Sequence, residues 1–134
     1  MSKLVIPNSG ETAILTEISN YMGTDSPTLR LFSNNYTVIA SSEISNYTEA
    51  SFDGYVGGAL LTNPNVSSVG GKAVCTWDQV QFTMGATPST ITIYGYWVAG
   101  TTKYYWAENI GPYTLGNTGD YIYITPKLSL YSEP

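Results

Sequence analysis

Residues 90–109 read TITIYGYWVAGTTKYYWAEN, and the pattern of this stretch decides the fold class. Two runs rich in β-branched and aromatic residues, 90–99 and 103–109, flank Gly100-Thr101-Thr102. That is the length of a tight hairpin connection, with a glycine available for positive φ. Tyr, Thr, Val and Ile suit a pleated, half-buried surface. The residues that long helices prefer (Ala, Leu, Glu, Lys, Arg) are scarce across the chain. The expected class is mainly β.

Working outward, the same period of two recurs. In 73–84, Val80, Phe82 and Met84 point one way and Gln79, Gln81 and Thr83 the other. In 28–33, Leu29 and Leu31 share one face, with Arg30 and Phe32 on the opposite one. Residues 52–61 are apolar but interrupted by Gly54, Gly57 and Gly58, which predicts a bulged or bent strand. Runs 121–125 and 127–131 close the chain, with Pro126 at a break or an edge. Stretches 63–71 and 111–120 are polar and are expected as exposed loops. Roughly seven to nine short strands separated by turn signals predict a jelly-roll-like β-sandwich rather than a βαβ fold.

The first segment has a different period. Asn8 and Glu11 have the spacing of a capping box, and Ile14, Leu15, Ile18, Tyr21 and Met22 follow at helical spacing. Gly23 stands where helices often end in a left-handed residue. The expectation is one helix over about 9–22 with a single apolar face. It would lie in an N-terminal arm, 1–27, attached to a sandwich over 28–134 within a single domain. The pentapeptide Glu-Ile-Ser-Asn-Tyr occurs at 17–21 and again at 43–47. Its flanks differ, so it reads as coincidence rather than a structural repeat.

Only 11% of residues are charged and the net charge is −5, where about 25% charged is usual. Lys3, Arg30, Lys72, Lys103 and Lys127 are scattered singly, whereas nucleic-acid binding needs clustered cations. No nucleic-acid partner is expected. Cys75 is the single cysteine, so no intrachain disulfide can form. After Met1 the only early apolar run is Leu4-Val5-Ile6 before Pro7, too short for a signal peptide. No run approaches the about 18 apolar residues of a membrane span. The chain is expected to be made and kept in the cytoplasm, or to leave it by lysis or within an assembled particle, with no membrane partner.

Histidine is absent, which removes the commonest general base and transition-metal ligand. Cys75 falls in an alternating run and reads as core filler rather than a nucleophile. Gly54-Tyr55-Val56-Gly57-Gly58 lacks the spacing of a phosphate loop. A glycosidase-like carboxylate pair could be drawn from Glu43, Glu49, Asp53, Asp78, Glu108 and Asp120. Ten acids supply such groupings by chance. No calcium-loop spacing occurs among them. The expectation is a protein that is not an enzyme, with no catalytic residues, no metal and no cofactor. Three Asn-x-Ser/Thr triplets, at Asn35, Asn46 and Asn65, follow from an Asn/Ser/Thr-rich composition.

Twelve tyrosines and three tryptophans call for an account. Tyr94, Tyr96 and Trp97 lie on one expected strand, and Tyr104, Tyr105 and Trp106 on the next. They can be cross-strand pairs inside the sandwich, part of a subunit interface, or a carbohydrate platform. The candidate contact surface is Ile14, Leu15, Ile18 and Tyr21 on the helix, with Tyr94, Tyr96, Trp97, Tyr105 and Trp106 on the hairpin.

Five stretches together resemble small virion proteins of tailed bacteriophages. They are Ile6-Pro7-Asn8-Ser9-Gly10-Glu11, Leu29-Arg30-Leu31-Phe32-Ser33-Asn34-Asn35-Tyr36-Thr37 and Tyr47-Thr48-Glu49-Ala50-Ser51-Phe52-Asp53-Gly54-Tyr55. Ile93-Tyr94-Gly95-Tyr96-Trp97-Val98 and Ile124-Thr125-Pro126-Lys127-Leu128-Ser129-Leu130 complete the set. Their order and spacing cover nearly the whole chain, and none carries a catalytic meaning. The resemblance implies a capsid decoration (cement) protein that sits as a homotrimer on the major capsid protein lattice. A tail or head-fibre accessory module binding a host-surface glycan is the alternative it leaves open. It assigns no site residues.

Overall fold

The computed structural model describes residues 4–130, and over these the chain is mainly β with one N-terminal helix. In order come α1 (Asn8–Thr24), β1 (Thr28–Phe32), a 3₁₀ turn (Ile44–Asn46), β2 (Ala59–Leu60) and β3 (Asn65–Val69). They are followed by β4 (Lys72–Thr76), β5 (Val80–Thr83), β6 (Ile91–Ala99), β7 (Tyr104–Leu115), β8 (Tyr121–Ile124) and β9 (Lys127–Leu130). The strands form three sheets, ordered β2-β1-β6-β7, β3-β4-β9 and β5-β8, and every pairing is antiparallel.

The decisive hairpin is present as β6 and β7, closed by a bond from the Gly100 N–H to the Lys103 carbonyl at 2.8 Å. Gly100 is needed for a reason other than the one expected. It is not among the residues of positive φ; instead, a Cβ there would fall on the Asp25 carboxyl group. Strand β7 continues to Leu115, through part of the segment expected as loop. The other expected loop, 63–71, contains β3, turned back onto β4 by Gly70 and Gly71 at φ 59° and 79°. Two adjacent left-handed residues are what a two-residue hairpin turn requires.

The alternation over 73–84 spans two strands of different sheets, β4 and β5. Buried Trp77 marks the corner between them, its N–H bonded to the Pro126 carbonyl. Of 52–61 only Ala59 and Leu60 are strand, because Gly54, Gly57 and Gly58 all take positive φ and break the ladder. Tyr131, expected to end the last strand, lies outside the described residues.

The helix carries little charge, and its hydroxyls are satisfied locally. Thr12, Thr16, Ser19 and Thr24 each donate to a carbonyl one turn back. The expected capping box is not formed. Pro7 occupies the N-cap, Asn8 is already helical, and the first bond runs from the Glu11 N–H to the Pro7 carbonyl at 2.9 Å. Glu11 is buried and faces inward with Leu15, Ser19 and Met22. Nor does the helix stop at Gly23: it runs to Thr24, Ser26 takes the left-handed conformation (φ 54°), and Pro27 prevents continuation.

Two apolar cores result. Leu15 and Met22 of α1 join Leu29, Leu31, Cys75, Phe82, Ile93, Val98, Ile122 and Ile124 in the main one, so the helix and all three sheets share it. The second lies on the other face of the four-stranded sheet, where Phe32, Tyr47, Trp97 and Ala99 are buried. Tyr47 is the keystone: it stacks on Phe32 (centroids 4.8 Å) and on Trp97 (5.3 Å), with Tyr36 edge-on at 5.6 Å. Residues 33–47, a Ser/Asn-rich stretch, thereby roof the sheet. Asn109 pins this roof to β7, accepting from the Val38 N–H and donating to the Tyr36 carbonyl.

Candidate functional site

Burial divides the expected contact residues. Leu15, Tyr96 and Trp97 are core residues and are corrected accordingly: no partner can reach them in the folded chain. Tyr94 is half-buried against the second core. Tyr105 and Trp106 are half-buried and pack on the main core side by side. Their shared direction comes from a bulge, since Val98 pairs with Trp106 and Ala99 with Tyr104, leaving Tyr105 as the extra residue. Trp106 lies against Trp77 at 5.7 Å and donates to the Tyr96 hydroxyl, which donates to Glu108. Burial pushes the Tyr96 phenol up to about 12. Each of these hairpin aromatics packs in or against one of the two cores.

The helix keeps a second stripe on its outside. Ile14, Ile18 and Tyr21 follow one another at four- and three-residue steps, so they stand in one row. They remain 42%, 37% and 49% exposed. The single apolar face expected for α1 is therefore two adjacent faces. Leu15 and Met22 anchor the helix, while Ile14, Ile18 and Tyr21 are offered to solvent. Leu4 and Val5, just before the helix, are exposed as well.

Asp25, absent from the acids singled out in the sequence, ties the helix end to the hairpin turn. Its carboxylate accepts the Thr102 N–H (3.0 Å), the Thr102 hydroxyl (2.9 Å) and the Tyr105 hydroxyl (2.7 Å), and its carbonyl accepts the Thr101 N–H. The Tyr105 bond, ahead of those from Thr102, holds the carboxyl below its ordinary value. The acids proposed as a carboxylate pair are instead engaged one by one. Glu49 pairs with Arg30 at 2.9 Å and accepts from Tyr55. Asp53 accepts from the Thr87 N–H, Asp78 from Asn63, and Asp120 from the Gly116 and Asn117 N–H groups. Glu43 and Asn46 cap the 3₁₀ turn. Among the described residues, no group of three or more Cys, Asp or Glu side chains is placed to hold a metal ion.

Three further exposed aromatics are ones that the sequence reading passed over. Tyr113, Tyr121 and Tyr123 are 53%, 56% and 55% exposed. They line an open groove of about 560 Å³ between β7 and β8, with Glu108, Thr114 and Thr125 supplying polar groups and Ile110, Leu115, Ile122 and Ile124 the apolar ones. The period-two signal that could have found two of them was present in 121–125: with Ile122 and Ile124 turned inward, Tyr121 and Tyr123 must point out. Compared with protein-family models, with curated proteins and with solved structures, the chain finds no match in any of the three.

Proposed function

We propose that this protein is a non-enzymatic structural component of a bacteriophage virion. It is made in the host cytoplasm and decorates the capsid surface by binding the assembled major capsid protein lattice. The observation that carries this reading is the outward row of Ile14, Ile18 and Tyr21 on a helix already anchored by Leu15 and Met22. A row of this kind on a rigid support is how helices meet partner surfaces, and few charges need be desolvated in a chain that is 11% charged. The five stretches that resemble tailed-phage virion proteins support the same role. A subunit that binds only the intact lattice stabilises it by mass action, and placement at a threefold position favours a homotrimer. Within this reading the three sheets form a jelly-roll-like sandwich, the four-stranded one facing the other two across their shared core.

The experiment is co-sedimentation with assembled heads of the encoding phage, followed by cryo-electron microscopy. Wild-type protein should sediment with heads and give regular density over the lattice. A variant combining Ile14→Ser, Ile18→Ser and Tyr21→Ser should keep its circular dichroism and lose about tenfold or more in affinity. Undiminished binding by that variant, or an absence of density on the head, refutes the proposal. Deleting the whole helix is a poorer test, because it would remove Leu15 and Met22 from the main core. The tyrosine groove favours a second reading, a tail or head-fibre adhesion module for a host-surface glycan. Density confined to the tail or fibres would select it.

A further inference from the structure

We propose that the groove between β7 and β8 is a binding site for a neutral oligosaccharide. The rings of Tyr121 and Tyr123 stand parallel on one face of β8, 6.0 Å between centroids and 22° between planes. Both are more than half exposed, so the offset pair leaves ring faces open to solvent at the groove. The C–H faces of a pyranose ring match such a surface, since an aromatic face carries negative charge density and the ring's C–H bonds are polarised positive.

Tyr113 stands on the opposite wall, and its position is built rather than incidental. Ile93 pairs with Tyr113 and Gly95 with Asn109, so Ile110, Gly111 and Pro112 together lie opposite the single Tyr94. Gly111 takes φ 67°, and the Tyr113 ring occupies the space a side chain at 111 would need, 2.7 Å from the Cβ position. The bulged strand thus sets the ring in place before any ligand arrives, which lowers the ordering cost of binding.

Polar chemistry in the groove fits sugar hydroxyls better than a peptide or a charged ligand. Glu108 and Thr125 supply short polar groups beside the tyrosines. Glu108 accepts from Tyr96 through one carboxylate oxygen and Thr125 accepts from Gln79. This leaves the second Glu108 oxygen and the Thr125 O–H for a ligand, while the Thr114 hydroxyl is paired with Thr92. None of the lining residues is basic, which argues against a sialylated or phosphorylated glycan. The volume, about 560 Å³, lies within the range of small-ligand clefts, about 300–1,000 Å³. This site shares no residue with the helix row; the inference deepens the adhesion reading and rests on it, and its test is separate from that of capsid binding.

The test is a titration of the full chain with maltotriose, cellotriose and tri-N-acetylchitotriose, followed by backbone amide shifts and preceded by a glycan array of neutral bacterial and plant oligosaccharides to add its strongest binder. The expected result is saturable shifts confined to residues 108–115 and 121–125. Tyr121→Ala and Tyr123→Ala should each weaken binding about tenfold, while Tyr123→Phe, which keeps the ring, retains most of it. Because both rings are largely in solvent, the alanine variants keep the fold, which their amide spectra verify. Absence of binding by every neutral glycan overturns the proposal, as does binding undiminished in both alanine variants. Selective binding of an extended peptide along β7 in place of any sugar also overturns it.

Discussion

Asp25 shows how a single side chain can carry tertiary structure that sequence patterns do not advertise. It follows a helix and precedes Ser-Pro, so it reads as turn composition, yet its carboxylate gathers two groups of Thr102 and the Tyr105 hydroxyl. Its acidity is lowered first by the Tyr105 bond, and that of Asp120 by the Gly116 and Asn117 amides. The unfolded chain, with carboxyls near 3.8, binds protons at a higher pH than the folded one. This contribution to stability is therefore complete above that value and lost as pH falls through the lower folded values. Urea unfolding followed by tryptophan fluorescence should show the midpoint dropping on this acid limb, less steeply in Asp25→Asn. An equal slope in both proteins would remove Asp25 from the account. Gly95 is a second case. A Cβ there would meet the Phe32 ring and the Glu108 carbonyl. Gly95→Ala should cost about 1–3 kcal/mol by overpacking, toward the upper end because a backbone carbonyl has little room to move. Equilibrium denaturation measures it. Neither requirement is legible from one sequence, since a glycine in a strand run signals a close approach without saying to what.

At the scale of elements, what was legible was periodicity, and what was not was partnership. The helical spacing of Leu15, Ile18 and Met22 located α1 to within about two residues at each end. It could not say that Ile18 faces solvent while Leu15 is buried. That division predicts unequal effects: Leu15→Ala should destabilise by about 2–5 kcal/mol, and Ile18→Ala by under about 1 kcal/mol. Similar losses at the two positions would contradict the orientation of the helix. The alternation of 73–84 gave each side chain its face but not the change of sheet at Trp77, because period two is indifferent to which strand lies alongside. Most instructive is the repeated pentapeptide. At 17–21 it is α-helix with Ser19 buried and Tyr21 exposed; at 43–47 it forms a 3₁₀ turn with Ser45 exposed and Tyr47 buried. Five residues do not specify their own conformation; the surroundings decide.

For the molecule as a whole, composition and turn spacing were enough for a mainly β fold with one early helix, while the second core lay hidden. Tyr36, Val38 and Tyr47 sit in a polar stretch, and only the folded chain brings them over Phe32 and Trp97. Burial on both faces is also why residues 93–99 carry so little polar alternation. Cys75, fully buried in the main core with its thiol pushed up by burial, makes global stability measurable at a native side chain. Its alkylation by iodoacetamide should be negligible in the native protein and should rise in step with tryptophan fluorescence through the unfolding transition. Rapid alkylation under native conditions would mean that α1 opens independently of the sheets. The Asp25 junction argues against such opening, and it has a mechanical corollary. A tug applied to the outer row of α1 travels along the helix, through the carboxylate and carbonyl of Asp25, into the turn of the longest hairpin. Whatever grips Ile14, Ile18 and Tyr21 is thereby harnessed to the four-stranded sheet and not to the helix alone.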